Sequence, residues 1–188
     1  MDYKTYHYGD NNINDNGWGC SYRNIQTLIS CYKYYYDKYI EVPCINEIVS
    51  FFDKDLKTNK LNDLWLEPYE ISIFLKKYCN NFDGNNYLFI KNDNDVSRIL
   101  KTDIAIYTKG DFIINDFNNF LLIIKKHFNK YKIPIIIDDG IYSYCFILLN
   151  DQEILLIDPH ITNDNNVKKI KIDFLIKNFW MIYVPIIQ

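Results

Sequence analysis

The sequence predicts an α+β fold in which early helices pack on a mainly antiparallel sheet. Three observations carry that expectation. From Tyr22 the apolar residues Tyr22, Ile25, Leu28, Ile29, Tyr32, Tyr35, Tyr36 and Tyr39 keep the three-and-four spacing of one helix face. From Ile133 onward, short apolar runs are separated by Asp138-Asp139-Gly140 and Asn150-Asp151, the punctuation of a hairpin meander. Finally, the 188 residues are 48% hydrophobic and 17% aromatic, which suits one domain spanning residues 1–188 with a sizeable core.

The elements follow in order. The first helix is expected from Cys20 to about Ile40, a second after Pro43 and a third from about Pro68 to Tyr78, since proline suits a first helical turn. Asn80 to Asn86 reads as polar and turn-like. Tyr87 to Lys91 and Ile104 to Tyr107 read as short strands flanking a modest helix, and Phe112 to Lys130 as a longer amphipathic helix. Four strands are expected at Ile133 to Ile137, Tyr142 to Leu149, Glu153 to Ile157 and Lys168 to Ile172, then a short helical piece and a last strand from Trp180 to Val184.

Composition excludes several functions. The net charge is −3 and the Lys and Arg residues are scattered, so nucleic acid is not an expected partner. The five cysteines, at 20, 31, 44, 79 and 145, are odd in number and show no Cys-x-x-Cys spacing. Neither a disulfide framework nor a zinc site is implied, so no metal or cofactor is expected and a reducing compartment fits. The N-terminus lacks an apolar signal core, and no run approaches the ~18 apolar residues that a membrane span needs. The cytoplasm is the expected location.

Chemistry concentrates at Asn16-Gly17-Trp18-Gly19-Cys20-Ser21-Tyr22-Arg23. Cys20 stands at the first turn of the predicted helix, where unpaired N–H groups and the dipole favour a thiolate and hence a lowered thiol pKa. A matching base lies in Ile157-Asp158-Pro159-His160. If the extended strand continues through Pro159, Asp158 and His160 face one cleft, and the carboxylate can orient the imidazole towards the thiol. The alternative is a turn in which Asp158 caps the backbone and His160 is solvated. The glycines Gly17 and Gly19, with Trp18, suggest a narrow substrate-binding slot that admits only a small-residue tail. Elsewhere His127 is expected to be solvated at a helix end, and Asp138 and Asp139 to serve a turn beside Gly140. His7 is expected in an aromatic loop contact, and Lys168, Lys169 and Lys171 on an edge strand. Gln26, nearly two turns into the helix, has no expected oxyanion role.

Gly17 to Thr27 resembles the nucleophile motif of the UfSP family, cysteine proteases specific for the ubiquitin-fold modifier of the ufmylation pathway. His7-Tyr8-Gly9 is similar to the family's upstream tyrosine segment at the same distance before the cysteine, which implies an oxyanion-stabilising role for Tyr8. Asp158-Pro159-His160 is similar to the family's Asp-Pro-His, which implies a Cys20–His160–Asp158 triad. Trp65 to Ile71 and Asn178 to Pro185 resemble two further family segments, so the likeness runs through nearly the whole chain. The resemblance implies a papain-like fold and cleavage after the modifier's C-terminal glycine, in precursor maturation or deconjugation. It also implies the modifier and its conjugates as partners, with an adaptor for conjugate recruitment. Departures fall at Leu66-Glu67-Pro68, Tyr144-Cys145 and Ile161, beside the substrate groove. Autophagy cysteine proteases share Gly-Trp-Gly-Cys and Asp-Pro-His, and a pseudo-protease that only binds the modifier is a third reading.

Overall fold

The computed structural model describes residues 1–55, 61–90, 113–114, 116–163, 165–176 and 179–188. Three helices come first: α1 (Cys20–Tyr35), α2 (Ile45–Phe51) and α3 (Pro68–Tyr78). They are followed by β1 (Phe82–Ile90), β2 (Ile113–Ile114) and α4 (Phe117–Lys130). The second half holds β3 (Ile135–Asp138), β4 (Ser143–Leu148), β5 (Glu153–Ile157), β6 (Val167–Lys171), a 3₁₀ segment at Ile172–Ile176 and β7 (Phe179–Ile187). The sheet order is β2-β1-β7-β3-β4-β5-β6, antiparallel at every pairing except β1 with β2.

Alternation along the strands sends side chains to two cores, one on each face. Ile136, Cys145, Ile157 and Tyr183 pack with α1, α2 and α3, while Ile135, Ile137, Phe146, Leu156 and Ile182 pack with Phe120 and Ile124 of α4. The predicted helices-on-sheet arrangement is therefore present, with helices on both faces.

Helix α1 departs from the expected amphipathic pattern. Every residue from Cys20 to Tyr32 is buried, because α1 lies between the sheet and the other two early helices. Five of its buried polar side chains are hydrogen-bonded: Ser21 to the Leu66 carbonyl, Arg23 to Asp15, Asn24 to Ser143, Gln26 to the Pro43 carbonyl and Thr27 to the Tyr6 N–H. The helix also ends at Tyr35 rather than near Ile40. The N–H groups of Tyr36 and Asp37 both turn back onto the Tyr32 carbonyl, and Tyr39, apolar by position, is 81% exposed.

Other boundaries move for tertiary reasons. The stretch expected as a turn joins β1 from Phe82, because β7 pairs with it from Phe82↔Ile187 to Ile90↔Phe179. Gly84 is required there, since a Cβ would lie 2.2 Å from the Tyr183 ring. The helix expected from Phe112 begins at Phe117, capped by Asp116, whose Oδ1 accepts the Asn118 N–H at 3.0 Å. The expected strand at Ile104 to Tyr107 and its neighbouring helix lie outside the described residues. His127 is buried rather than solvated: its Nε2 lies 2.7 Å from the Ile133 carbonyl oxygen, and burial lowers its pKa. Strand β6, carrying Lys168, Lys169 and Lys171, does sit at the sheet edge.

Candidate active site

Cys20 is the first residue of α1 and is fully buried. The backbone of Ser143 and Ser21 and the Tyr8 hydroxyl lie close enough to the sulfur to favour its thiolate form. The same hydroxyl lies beside the Cys20 backbone as well as its thiol. Gly19, the helix N-cap, offers no side chain that could compete for these donors. Burial first, and the Asp138 carboxylate second, push the thiol from 9.0 up to about 11. This departs from the expected lowered pKa: Ser143, Tyr8 and Ser21 oppose the shift, but desolvation outweighs them.

Asp158 and His160 meet across a turn, not along an extended strand. Strand β5 ends at Ile157, and the Ile161 N–H closes back onto the Asp158 carbonyl at 3.3 Å. The carboxylate Oδ1 lies 2.7 Å from His160 Nδ1 and also accepts the His160 backbone N–H at 3.1 Å. Capping by Asp158 and pairing with the imidazole, which the sequence posed as alternatives, occur together. A carboxylate on Nδ1 places the proton there and leaves Nε2 as the basic nitrogen. That Nε2 is buried and makes no hydrogen bond among the described residues. Burial raises the Asp158 carboxyl, but the hydrogen bonds with His160 outweigh it and leave the pKa lowered.

The N-terminal segment joins the two halves. The Tyr8 N–H donates to the Pro159 carbonyl at 2.8 Å, and the Asp158 N–H donates to the Asn166 carbonyl at 2.7 Å. The Tyr8 ring stands edge-on to His160 at 5.1 Å, with Tyr142 at 5.1 Å and Tyr144 at 5.4 Å completing an aromatic collar. Burial holds the Tyr8 phenol protonated, as a donor. His7 hydrogen-bonds locally, its Nδ1 lying 2.8 Å from the Tyr8 carbonyl oxygen.

The residues flanking the thiol serve different local purposes. Gly17 is exposed and adopts φ +84°, a left-handed turn. Trp18 is buried edge-on against Tyr22 at 5.3 Å, and a Cβ on Gly19 would lie 2.3 Å from an Asp15 carboxylate oxygen. Sequence reasoning passed over Asp15, Asn24 and Ser143, and read Asp138 only as a turn residue. Asp138 is fully buried at the end of β3, where its Oδ1 accepts the Gly140 N–H at 2.7 Å, the expected turn contact. Asn24 donates to the Ser143 hydroxyl at 2.8 Å and accepts from the Cys145 thiol at 3.3 Å, tying α1 to β4. The available signal was Arg23: a cation one turn after a buried thiol needs a buried anion. Among the described residues no group of three or more His, Cys, Asp and Glu side chains is placed to hold a metal ion.

Residues 1–178 match the model of peptidase family C78. The chain is similar to a probable Ufm1-specific protease of Oryza sativa subsp. japonica, with 27% identity over 178 residues covering 89% of this chain and 24% of that protein. It is similar to human Ufm1-specific protease 2 at 24% identity over 178 residues, covering 89% of this chain and 33% of that one. Its fold matches the crystal structure of UfSP from C. elegans with a TM-score of 0.66 and 20% identity, over 99% of this chain and 33% of that chain. The chain thus spans between 24% and 33% of the length of these relatives, and its fold is the papain-like one. With a family match over all but the last ten residues, the chain belongs to peptidase family C78.

Proposed function

We propose that this chain is a cysteine peptidase that cleaves after the C-terminal glycine of the ubiquitin-fold modifier, in precursor maturation, deconjugation or both. The observation that carries the reading is the position of Tyr8. Its hydroxyl lies beside the thiol and backbone of Cys20, while its ring lies against the Asp158-oriented His160. The family relatives named for Ufm1 supply the modifier's identity.

His160 Nε2 takes the Cys20 proton as the sulfur attacks the glycine carbonyl carbon, and Asp158 stabilises the imidazolium so formed. The oxyanion is received by the Cys20 N–H and the Tyr8 O–H, two donors that already converge. His160 then returns the proton to the leaving amine as the C–N bond breaks, leaving a thioester. Water, deprotonated by His160, attacks the thioester and releases the glycine carboxylate and the thiol. A neutral resting thiol makes substrate binding part of the activation, because proton transfer to Nε2 has to accompany attack. Gly17, Trp18 and Gly19 form the wall of a slot for the glycine-ended tail. The modifier's conjugates and an adaptor are the partners in this reading, and the cytoplasm is its location.

The test is incubation with a modifier probe that carries an electrophile in place of its terminal glycine carboxylate. Wild-type protein should form a covalent adduct, and Cys20→Ser should form none. Wild-type protein that stays unlabelled, or a Cys20→Ser variant that still cleaves precursor, would end the proposal. A probe built on the autophagy modifier, run alongside, tests the nearest alternative substrate. The raised Cys20 pKa favours a second reading, a modifier-binding pseudo-protease, which predicts tight probe binding without a covalent bond.

A further inference from the structure

We propose that Asp15 is a positioning residue, whose buried carboxylate fixes the Tyr8 hydroxyl beside Cys20 by tying the residue after Tyr8 to Arg23 on the helix that Cys20 opens. The inference rests on the catalytic reading of Cys20 and Tyr8 and adds a residue that acts through them. Asp15 is fully buried although it lies in the loop before α1. Its Oδ1 accepts the N–H of Gly9, the residue directly after Tyr8, at 2.8 Å. Its backbone carbonyl accepts the N–H of Gly19, the residue directly before Cys20, at 2.9 Å. One residue is therefore bonded to the neighbour of the hydroxyl and to the neighbour of the thiol.

The carboxylate is itself held. Its Oδ2 accepts Arg23 Nε at 2.7 Å, and both side chains are wholly buried. The remaining guanidinium nitrogens are used as well, Nη1 on Gln26 Oε1 at 3.0 Å and Nη2 on the Asp10 carbonyl at 2.8 Å. Arg23 thus fastens the loop that follows Tyr8 directly to the nucleophile helix. Gly19 closes the arrangement from the other side, since a Cβ there would lie 2.3 Å from Asp15 Oδ2. Charge-assisted bonds of this kind are shorter and stiffer than neutral ones. They matter here because an oxyanion donor displaced by even 1 Å loses much of its effect. The ion pair thus joins the residue after Tyr8 to the helix that begins at Cys20, while the Asp15 backbone holds Gly19.

The experiment is a double-mutant cycle between Asp15→Asn and Tyr8→Phe on the full chain, with the melting temperature of each variant measured first. If Asp15 acts through Tyr8, Asp15→Asn lowers kcat about 10- to 100-fold with little change in KM, and adds less than about threefold once Tyr8 is phenylalanine. Losses that multiply in the double variant, or a change confined to KM, would overturn the proposal. Should Asp15→Asn fail to fold, the paired Asp15→Asn/Arg23→Gln variant removes both buried charges and carries the same cycle. A second readout needs no substrate. The Tyr8 hydroxyl lowers the Cys20 pKa, so the pH profile of Cys20 alkylation should move upward in Tyr8→Phe, upward again in Asp15→Asn, and no further in the double variant. An Asp15→Asn profile that overlays wild type would overturn the proposal even if no substrate is ever cleaved. Absence of cleavage by wild type, with these alkylation shifts intact, would instead overturn only the peptidase reading.

Discussion

Cys20 and His160 both border Tyr8, as two walls of the candidate site, and the walls are built differently. On the nucleophile wall everything is interior: Asp15, Cys20 and Arg23 are fully buried, and the bonds that fix them run between the N-terminal loop and α1. On the imidazole wall Asp158 and His160 keep 19% and 20% of their side chains exposed, and their pairing closes within a three-residue turn. Among the described residues two backbone bonds, Tyr8 to Pro159 and Asp158 to Asn166, anchor that turn to other segments. The nucleophile wall is thus inseparable from the core, whereas the imidazole wall is assembled locally. Damage to the first should appear mainly as lost stability, and damage to the second mainly as lost chemistry.

Arg23→Met gives the largest expected loss of stability. It leaves the Asp15 carboxylate buried without its cation, a situation that costs about 3–5 kcal/mol. Urea denaturation measures it, and a loss below ~1 kcal/mol would erase the contrast between the walls. Asp158→Asn is the counterpart. It should cut kcat/KM by about 10²–10⁴-fold by removing the anion that selects the Nδ1–H tautomer and stabilises the imidazolium, while unfolding changes by only ~1 kcal/mol. A variant that unfolds readily would show that the turn supports the core after all. Gly19→Ala comes next. Its Cβ would meet Asp15 at 2.3 Å, and relieving that overlap should cost about 1–3 kcal/mol together with a fall in kcat. Denaturation and steady-state kinetics on one preparation separate the two effects.

The same division explains what could be read from the sequence. Helix α3 was legible to its ends because its signals are local: Pro68 in the first turn, and a Glu67–Glu70 capping box whose Glu67 N–H donates to Glu70 at 2.9 Å. Strand β5, a continuous apolar run, was equally plain. The candidate residues at 8, 20, 158 and 160 were visible because their types and local order carry meaning, and Tyr8 lies beside both Cys20 and the Asp158–His160 pair. The end of α1 was hidden because Tyr36 and Tyr39 continue the apolar spacing after the backbone has left the helix. The start of β1 was hidden because its strand character comes from pairing with β7, more than a hundred residues away. Asp15 was hidden because loop aspartates are ordinarily solvated, and only the buried Arg23 makes this one different.

The protonation state of the thiol gives the smallest effect and the finest distinction between the walls. Burial, followed by Asp138, raises Cys20 to about 11. A group raised above its unfolded value of 9.0 contributes stability that is complete below pH 9.0 and is lost as the pH climbs through about 11. Asp158 runs the other way: its lowered carboxyl contributes stability above its unfolded value of 3.8 that is lost as the pH falls through the folded pKa. The interior wall should therefore loosen in alkali and the rim wall in acid. Alkylation of Cys20 in the free protein should show a midpoint near 11, and Asp138→Asn should move that midpoint down by removing a negative charge that opposes the thiolate. A wild-type midpoint well below the ~8.5 of a free thiol would mean that a thiolate–imidazolium pair already exists at rest. In that case His160, not burial, would govern the nucleophile, and the two walls would act as one unit before any substrate arrives.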